Sequence, residues 1–299
     1  MIYYLTAARL AGAMQGFLAT LGKPLAGRIG IITYEQLFAG PPVKLPRAAY
    51  ILTGIGRPLG SYNPPSRPRQ MVMQLRRELV DRYGPDSVLN DPVLSLRRFP
   101  LLRTLHERGI NRFAAYPAGR LPHTARFPLF LRLEAGAQWE RIPLLHDRCQ
   151  YEAALATARH RDGLLAVEFC DTADGYGVYR KYGAFVVGNR IVPRHLYFSR
   201  HWMVKEADMT GTEQVAEELA YLESNPHAAA LHQICRIANI GYGRIDYAVD
   251  AGRVQVWEIN TTPSIVSPPG PHDAVRRRAH ECFLAAFSSA VDALDNAIA

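Results

Sequence analysis

The stretch GYGRIDYAVDAGRVQVWEINTTPSI, residues 241–265, constrains this chain more than any other. Ile245, Tyr247 and Val249, then Val254, Val256 and Ile259, alternate with polar positions as in two half-buried strands. A turn over Asp250, Ala251 and Gly252 joins them. A three-residue loop with Gly252 in the left-handed position predicts that Val249 pairs with Arg253. That register sets Asp246 opposite Val256 and Arg244 opposite Glu258. Side chains two apart share one face of a strand, so Arg244, Asp246, Glu258 and Asn260 project together. Two carboxylates and an amide are hard oxygen ligands that suit Mg²⁺. An ordinary sheet with a solvated polar face is the competing reading.

The chain has 299 residues, enough for one large domain or two closely joined ones. Its net charge of +8 favours anionic ligands such as nucleotides, phosphates and carboxylates. The basic residues are scattered, the densest clusters being 276–278, 76–77 and 97–98, with no aromatic-interleaved basic stripe. No nucleic-acid partner is therefore expected. Cys149, Cys170, Cys235 and Cys282 form no CxxC pair, which suggests small core residues rather than a zinc knuckle or redox motif. The apolar N-terminus lacks a basic start and is interrupted by Arg9. Leu10, Met14 and Leu21 recur at helical spacing, with Thr6 as a cap and Gly22 as a stop. No run of 18 apolar residues occurs, so no membrane span and a cytoplasmic location are expected.

Strands at 1–5, 28–34 and 48–55 alternate with helical patterns over residues 1–60, which suggests a small parallel α/β unit. The turn-rich segment 60–70 reads as a surface loop, and a helix is expected from Gln70 to Tyr83. A second helical stretch, 96–109, ends at Gly109. From about residue 128 strands dominate, at 129–134, 164–171 and 182–193, the last with a Gly188–Asn189 turn. Helices at about 149–160, 212–223, 226–238 and 272–297 intervene.

GRIDY followed by VWEINTTP closely resembles the end of the ATP-grasp superfamily, in its glutathione-synthetase-like, carboxylate–amine ligase type. There an Asp on one strand and a Glu-x-Asn on the next hold two Mg²⁺ ions against ATP phosphates. The matching residues are Asp246, Glu258, Asn260 and Pro263. LRRFPLLRTLHERGI resembles the helix of that superfamily that opens with a nucleotide-contacting basic residue, and counting back from Gly109 gives Arg98. RFPLFLRLEAG resembles its Pro-x-x-x-Lys strand, with Arg132 where Lys is usual, and LLAVEFCD resembles the strand whose backbone meets adenine. The resemblance covers roughly residues 90–265. It implies an α/β, α+β-grasp architecture: a pre-grasp α/β unit over 1–90, then a grasp domain over 91–299. Two subdomains with antiparallel sheets, about 110–170 and 171–299, make up that domain.

By the same resemblance the cofactors are ATP and Mg²⁺, with Asp246, Glu258 and Asn260 on the metal. Arg98, Arg132, Glu168, Phe169, Cys170 and Asp171 meet ATP, and Arg244 stabilises an acyl phosphate. Arg180, Lys181 and His195 are the candidate substrate contacts, because the strand YRKYGAFVVG lacks the Arg that the glutamate-adding branch carries near Gly183. The implied activity is a carboxylate–amine ligase that converts ATP to ADP and phosphate through an acyl phosphate. A kinase acting on a hydroxyl and a non-catalytic nucleotide-binding module are the alternatives. The implied partners are a small-molecule or peptide carboxylate and an amine, and the assembly considered is a homodimer. Asp171 and Asp174, flanked by Gly175 and Gly177, read as a turn rather than a catalytic pair. The segment 53–61 resembles a phosphate loop only loosely, without the Lys-Ser/Thr step.

Overall fold

A computed structural model describes residues 1–39, 44–54, 67–91, 93–135, 142–158, 162–265 and 276–298. The loose phosphate-loop match, most of the 60–70 loop and residues 272–275 lie outside the described residues. The chain opens as a parallel sheet in the order β2-β1-β3-β4. Its strands are β1 (Ile2–Thr6), β2 (Ile29–Thr33), β3 (Ala49–Leu52) and the short β4 (Val88–Leu89), which the sequence pattern does not announce. Helices α1 (Ala11–Ala19), α2 (Tyr34–Ala39) and α3 (Arg67–Tyr83) connect them. Thr6 is not the cap expected of α1, because it is the last residue of β1. The chain reaches α1 through a short 3₁₀ turn, where the Glu35 carboxylate accepts from the Ala8 amide at 2.9 Å. Gly22 does close this segment, its amide donating to the Phe17 carbonyl at 2.8 Å.

Helix α4 (Arg98–Glu107) leads into a three-stranded antiparallel sheet, β5-β7-β6. It contains β5 (Ala115–Pro117), β6 (Leu129–Leu133) and β7 (Leu164–Glu168), with α5 (Arg148–Thr157) between the last two. The segment 114–128, turn-rich by composition, therefore holds a strand of its own. Next comes a four-stranded antiparallel sheet in the order β11-β10-β8-β9. Its strands are β8 (Tyr179–Val187), β9 (Arg190–Ser199), β10 (Tyr242–Asp250) and β11 (Arg253–Asn260). Helices α6 (Thr212–Ser224) and α7 (Ala228–Ala238) follow β9, and α8 (Arg277–Asn296) ends the chain.

Strand alternation gives the four-stranded sheet two different faces. Ala184, Val186, Ile245, Tyr247 and Val256 pack under Tyr221 of α6 and Leu231 and Ile234 of α7. On the other face, Phe185, Val187 and Tyr242 meet Phe283 and Phe287 of α8 and Ile2, Tyr4 and Ile51 of the parallel sheet. Fully burying one such aromatic ring contributes on the order of 1.5–3 kcal/mol. Farther along this second face the apolar side chains give way to Lys181, Gly183, Arg244 and Asp246, in register with the core residues.

Asn90 joins the first sheet to the last. It follows β4 with φ of 67°, a left-handed conformation that Asn tolerates. Its Nδ2 donates to the carbonyls of Leu52 (3.1 Å) and Tyr242 (3.0 Å), while its Oδ1 accepts from the amides of Gly241 (2.9 Å) and Tyr242 (3.0 Å). One buried amide thus satisfies four backbone groups from two sheets and fixes where β10 begins. Asn90→Ala should lower the unfolding free energy by about 3 kcal/mol, because each buried backbone group left unpaired costs roughly 1–3 kcal/mol. Urea unfolding measures this, and a loss below about 1 kcal/mol would show that water replaces the amide.

Candidate functional site

The β10–β11 hairpin differs from the expected register. Its loop has two residues, Ala251 and Gly252, both left-handed with φ of 47° and 76°, and Asp250 pairs with Arg253. Continued evenly, this pairing would set Trp257 opposite Asp246 and turn Glu258 to the other face. A bulge at Trp257 intervenes: Tyr247 pairs with Val256, then Asp246 with Glu258 and Arg244 with Asn260. The expected pairs Asp246–Val256 and Arg244–Glu258 are thereby corrected, while the shared face of the four residues stands. A second bulge at Arg194 lies at the same level of the sheet. There Gly183 pairs with His195 and Ala184 with Pro193. Each bulge crowds one extra side chain onto its strand beside the Gly183–Asp246 pair.

Two carboxylates directly opposite one another repel. Here arginines from three elements neutralise them. Arg244 grips Asp246 through Nε–Oδ1 at 2.8 Å and Nη2–Oδ2 at 3.3 Å. Arg98, the first residue of α4, donates to Glu258 Oε2 and also to the carbonyls of Leu133 and Glu134, both at 2.8 Å. Arg132 on β6 reaches the same Glu258 oxygen at 3.5 Å. Burial lowers the pKa of Arg98 to about 10 and that of Arg132 to about 9, so both remain cationic at neutral pH. For Arg244 burial acts in the same direction, but the charge and hydrogen bonds of Asp246 outweigh it and the pKa rises. Asn260 Oδ1 accepts from the Thr262 amide at 2.9 Å.

A cleft runs over this face toward the three-stranded sheet. Phe113, Phe130, Phe169, Trp202 and Trp257 line it together with Arg132, Lys181, Lys205, Asp246 and Glu258. Phe130 and Phe169 flank Trp202 at 5.0 and 5.6 Å, and Trp257 packs on Phe113 at 4.8 Å. The lining thus combines an aromatic group with a cation-rich group. Burial lowers the ammonium pKa values of Lys181 and Lys205, and for Lys205 the charges of Arg132, Lys181 and Arg98 add to the effect.

The other expected site residues are placed unequally. Phe169, Cys170 and Arg180 line the cleft, but Arg180 is held by Glu217 (2.7 Å) and Asp174 (2.5 Å). Glu168 is buried against the wall. Its oxygens accept from the amides of Ala114 and Arg126, the Tyr116 hydroxyl and the Arg126 side chain, at 2.8–3.1 Å. Asp171 is exposed and caps the Ala173 amide, and neither Asp171 nor His195 reaches the cleft lining. His195 is buried and stacked on Tyr197 at 4.0 Å, and a Cβ on Gly183 would clash with its ring. Asp174 does form the expected turn, with Oδ1 accepting from the amides of Tyr176 and Val178. Sequence reasoning missed Trp202, Lys205 and Trp257. The first two sit in an unpatterned segment after β9, and Trp257 reads as an ordinary strand residue until the bulge is known.

No group of three or more His, Cys, Asp or Glu side chains converges among the described residues. The donor set is two carboxylates and an amide, hard ligands that fit Mg²⁺ once the arginines release them. No helix among the described residues is long and apolar enough to cross a membrane.

No protein-family model matches the chain, and no curated protein matches its sequence. Solved structures do resemble it. The D-alanine–D-alanine ligase from Bacillus anthracis aligns over 99% of both chains with a TM-score of 0.51 and 13% identity. Its structure complexed with ATP gives 0.51 and 12%, again over 99% of both chains. The likeness spans the whole of the fold described above, the parallel sheet and both antiparallel sheets of this chain included. The chain has the ATP-grasp fold.

Glu258→Gln should expose the arginine–carboxylate compensation. Loss of that charge leaves Arg98 and Arg132 side by side and should cost about 2 kcal/mol, less than for a fully buried pair because some water remains. Inorganic tripolyphosphate should recover most of the loss in a denaturant titration. A variant that unfolds like the parent would show that Glu258 does not hold the arginines.

Proposed function

We propose that the chain is an ATP- and Mg²⁺-dependent carboxylate–amine ligase, working through an acyl phosphate and releasing ADP and phosphate. The observation that carries this reading is the two-part lining of the cleft, aromatic side chains beside cations gathered round two carboxylates. A planar base suits the first part and phosphates suit the second. We further propose a division into a pre-grasp unit over 1–90 and a grasp domain over 91–299.

Phe169 and Trp202, set edge to face, wall the slot for the base. Arg98 and Arg132, already poised at Glu258, turn to phosphate oxygens, which their planar forks can grip in pairs. Their turning frees Glu258, and Asp246 is freed when Arg244 lets go; with Asn260 the two carboxylates would hold Mg²⁺, which would supply charge neutralisation at the phosphates. Arg244 lies beside them on the same face, where the transferred phosphoryl group would sit. In the first step a carboxylate oxygen of the substrate attacks the γ-phosphorus, and the bond to the ADP oxygen breaks. In the second the free amine attacks the acyl carbon, phosphate leaves, and the extra amine proton passes to solvent. A kinase would instead give a phosphate ester, so mass spectrometry of the product separates the two.

Metal and nucleotide should bind together, since each removes what the other must displace. Calorimetry should show Mg²⁺ alone binding weakly and a non-hydrolysable ATP analogue gaining at least about tenfold with Mg²⁺ present. Equal affinity with and without metal contradicts the reading.

Arg244→Ala should raise the affinity for Mg²⁺ alone, because Asp246 loses its competitor. It should also slow single-turnover ADP formation by about 10²–10³-fold, as expected for loss of a positioned charge-stabilising donor. A full rate in this variant would remove Arg244 from the chemistry.

A further inference from the structure

Of the cations at the cleft, Lys181 stands apart. Arg98, Arg132 and Arg244 are compensated by Glu258 or Asp246, and Arg180 is compensated by Glu217 and Asp174. Lys181 has no hydrogen-bond or ion-pair partner among the described residues, although its side chain is mostly buried. Its ammonium rests over the Tyr197 ring, 5.4 Å from the centroid. The nearby Asp246 attracts it but is held by Arg244. This ammonium faces the cleft with no carboxylate bonded to it, so it is available to an anion that enters there.

Its place across the sheet separates it from the phosphate-binding arginines. Arg98 and Arg132 converge on Glu258 in β11, whereas Lys181 lies on β8, two strands away across β10. At strand spacings of 4.7–4.9 Å the two positions are roughly 10 Å apart. One oxyanion cannot serve both. Tyr197 offers Lys181 a fixed platform, since His195 stacks on its ring at 4.0 Å and the Arg276 guanidinium lies 4.8 Å from its centroid.

We propose that Lys181 is the specificity-determining residue for the second substrate, binding an oxyanion of the carboxylate on the side of Asp246 away from Arg98 and Arg132. This rests on the reading of the cleft as a nucleotide site. A carboxylate there is held beside the phosphates without competing for their arginines.

The test is calorimetry on the full chain with acetate, succinate and inorganic phosphate as probes. Each is titrated without nucleotide and with a saturating Mg²⁺-bound, non-hydrolysable ATP analogue. The parent should bind at least one probe saturably. Lys181→Met should weaken that binding at least about tenfold, whereas Lys181→Arg should stay within about threefold, as for a charged hydrogen bond lost or kept. Nucleotide affinity in Lys181→Met should stay within about twofold of the parent. Thermal unfolding of both variants checks that they fold. Absence of anion binding by the parent, unchanged anion binding in Lys181→Met, or a tenfold loss of nucleotide affinity there would each overturn the proposal, the last by assigning Lys181 to phosphate. A parent that binds anions but no nucleotide would instead overturn the ligase reading, and the nucleotide-free titrations still decide Lys181.

Discussion

Two carboxylates, Asp246 and Glu258, face each other across neighbouring strands, and much of the cleft is arranged to make that tolerable. Like charges in direct cross-strand contact destabilise a sheet. The compensating guanidiniums come from three different elements, α4, β6 and β10. Arg98 also donates to two carbonyls at the end of β6. A single side chain therefore ties α4, the three-stranded sheet and the four-stranded sheet to one oxygen. The cost of placing two acids together is offset by contacts that also set the walls of the cleft.

That compensation matters because both partners are arginines. A lysine can neutralise a carboxylate as a point charge, whereas the planar guanidinium can bond a carboxylate and two carbonyls at once. Arg98 does so. Burial disfavours the charged form of both Arg98 and Arg132, yet neither approaches neutrality at ordinary pH. Both are cationic at neutral pH, so there it is the partner that changes.

Much of this was legible in the residues. The alternation of Ile245, Tyr247 and Val249 against Arg244 and Asp246 identified the hairpin and its polar face. Gly109 marked the end of a helix, with φ of 66° as a stop requires. The pairing of Asp246 with Glu258 follows from a bulge whose one mark in the sequence is the three-residue step from Val256 to Ile259, a break that strict alternation passes over and that Trp257, packed on Phe113, fills. Glu168 resembled a ligand contact by its place on a strand, but its partners Ala114, Tyr116 and Arg126 come from distant sequence and occupy it fully. The fourth strand of the parallel sheet, only Val88 and Leu89, is too short for periodicity to register. Asn90, the link between sheets, is a single polar residue whose four partners no local pattern predicts.

The bulge at Trp257 also bears on how chains of this kind can diverge. Asp246 and Glu258 are twelve residues apart, an even separation. An evenly paired hairpin with a two-residue loop joins only positions an odd number apart, so it can never set these two face to face. The loop length and the bulge are therefore locked together by parity. An insertion in the loop that removed the bulge would keep both acids opposed only by turning Val254 and Val256 out of the core onto the polar face. A length change on only one side of that balance would turn one acid into the core packed by α6 and α7. The bulge is thus what lets one strand send Val254 and Val256 into the core and Glu258 into the cleft, a division that a fixed-spacing sequence pattern around the acids does not reveal.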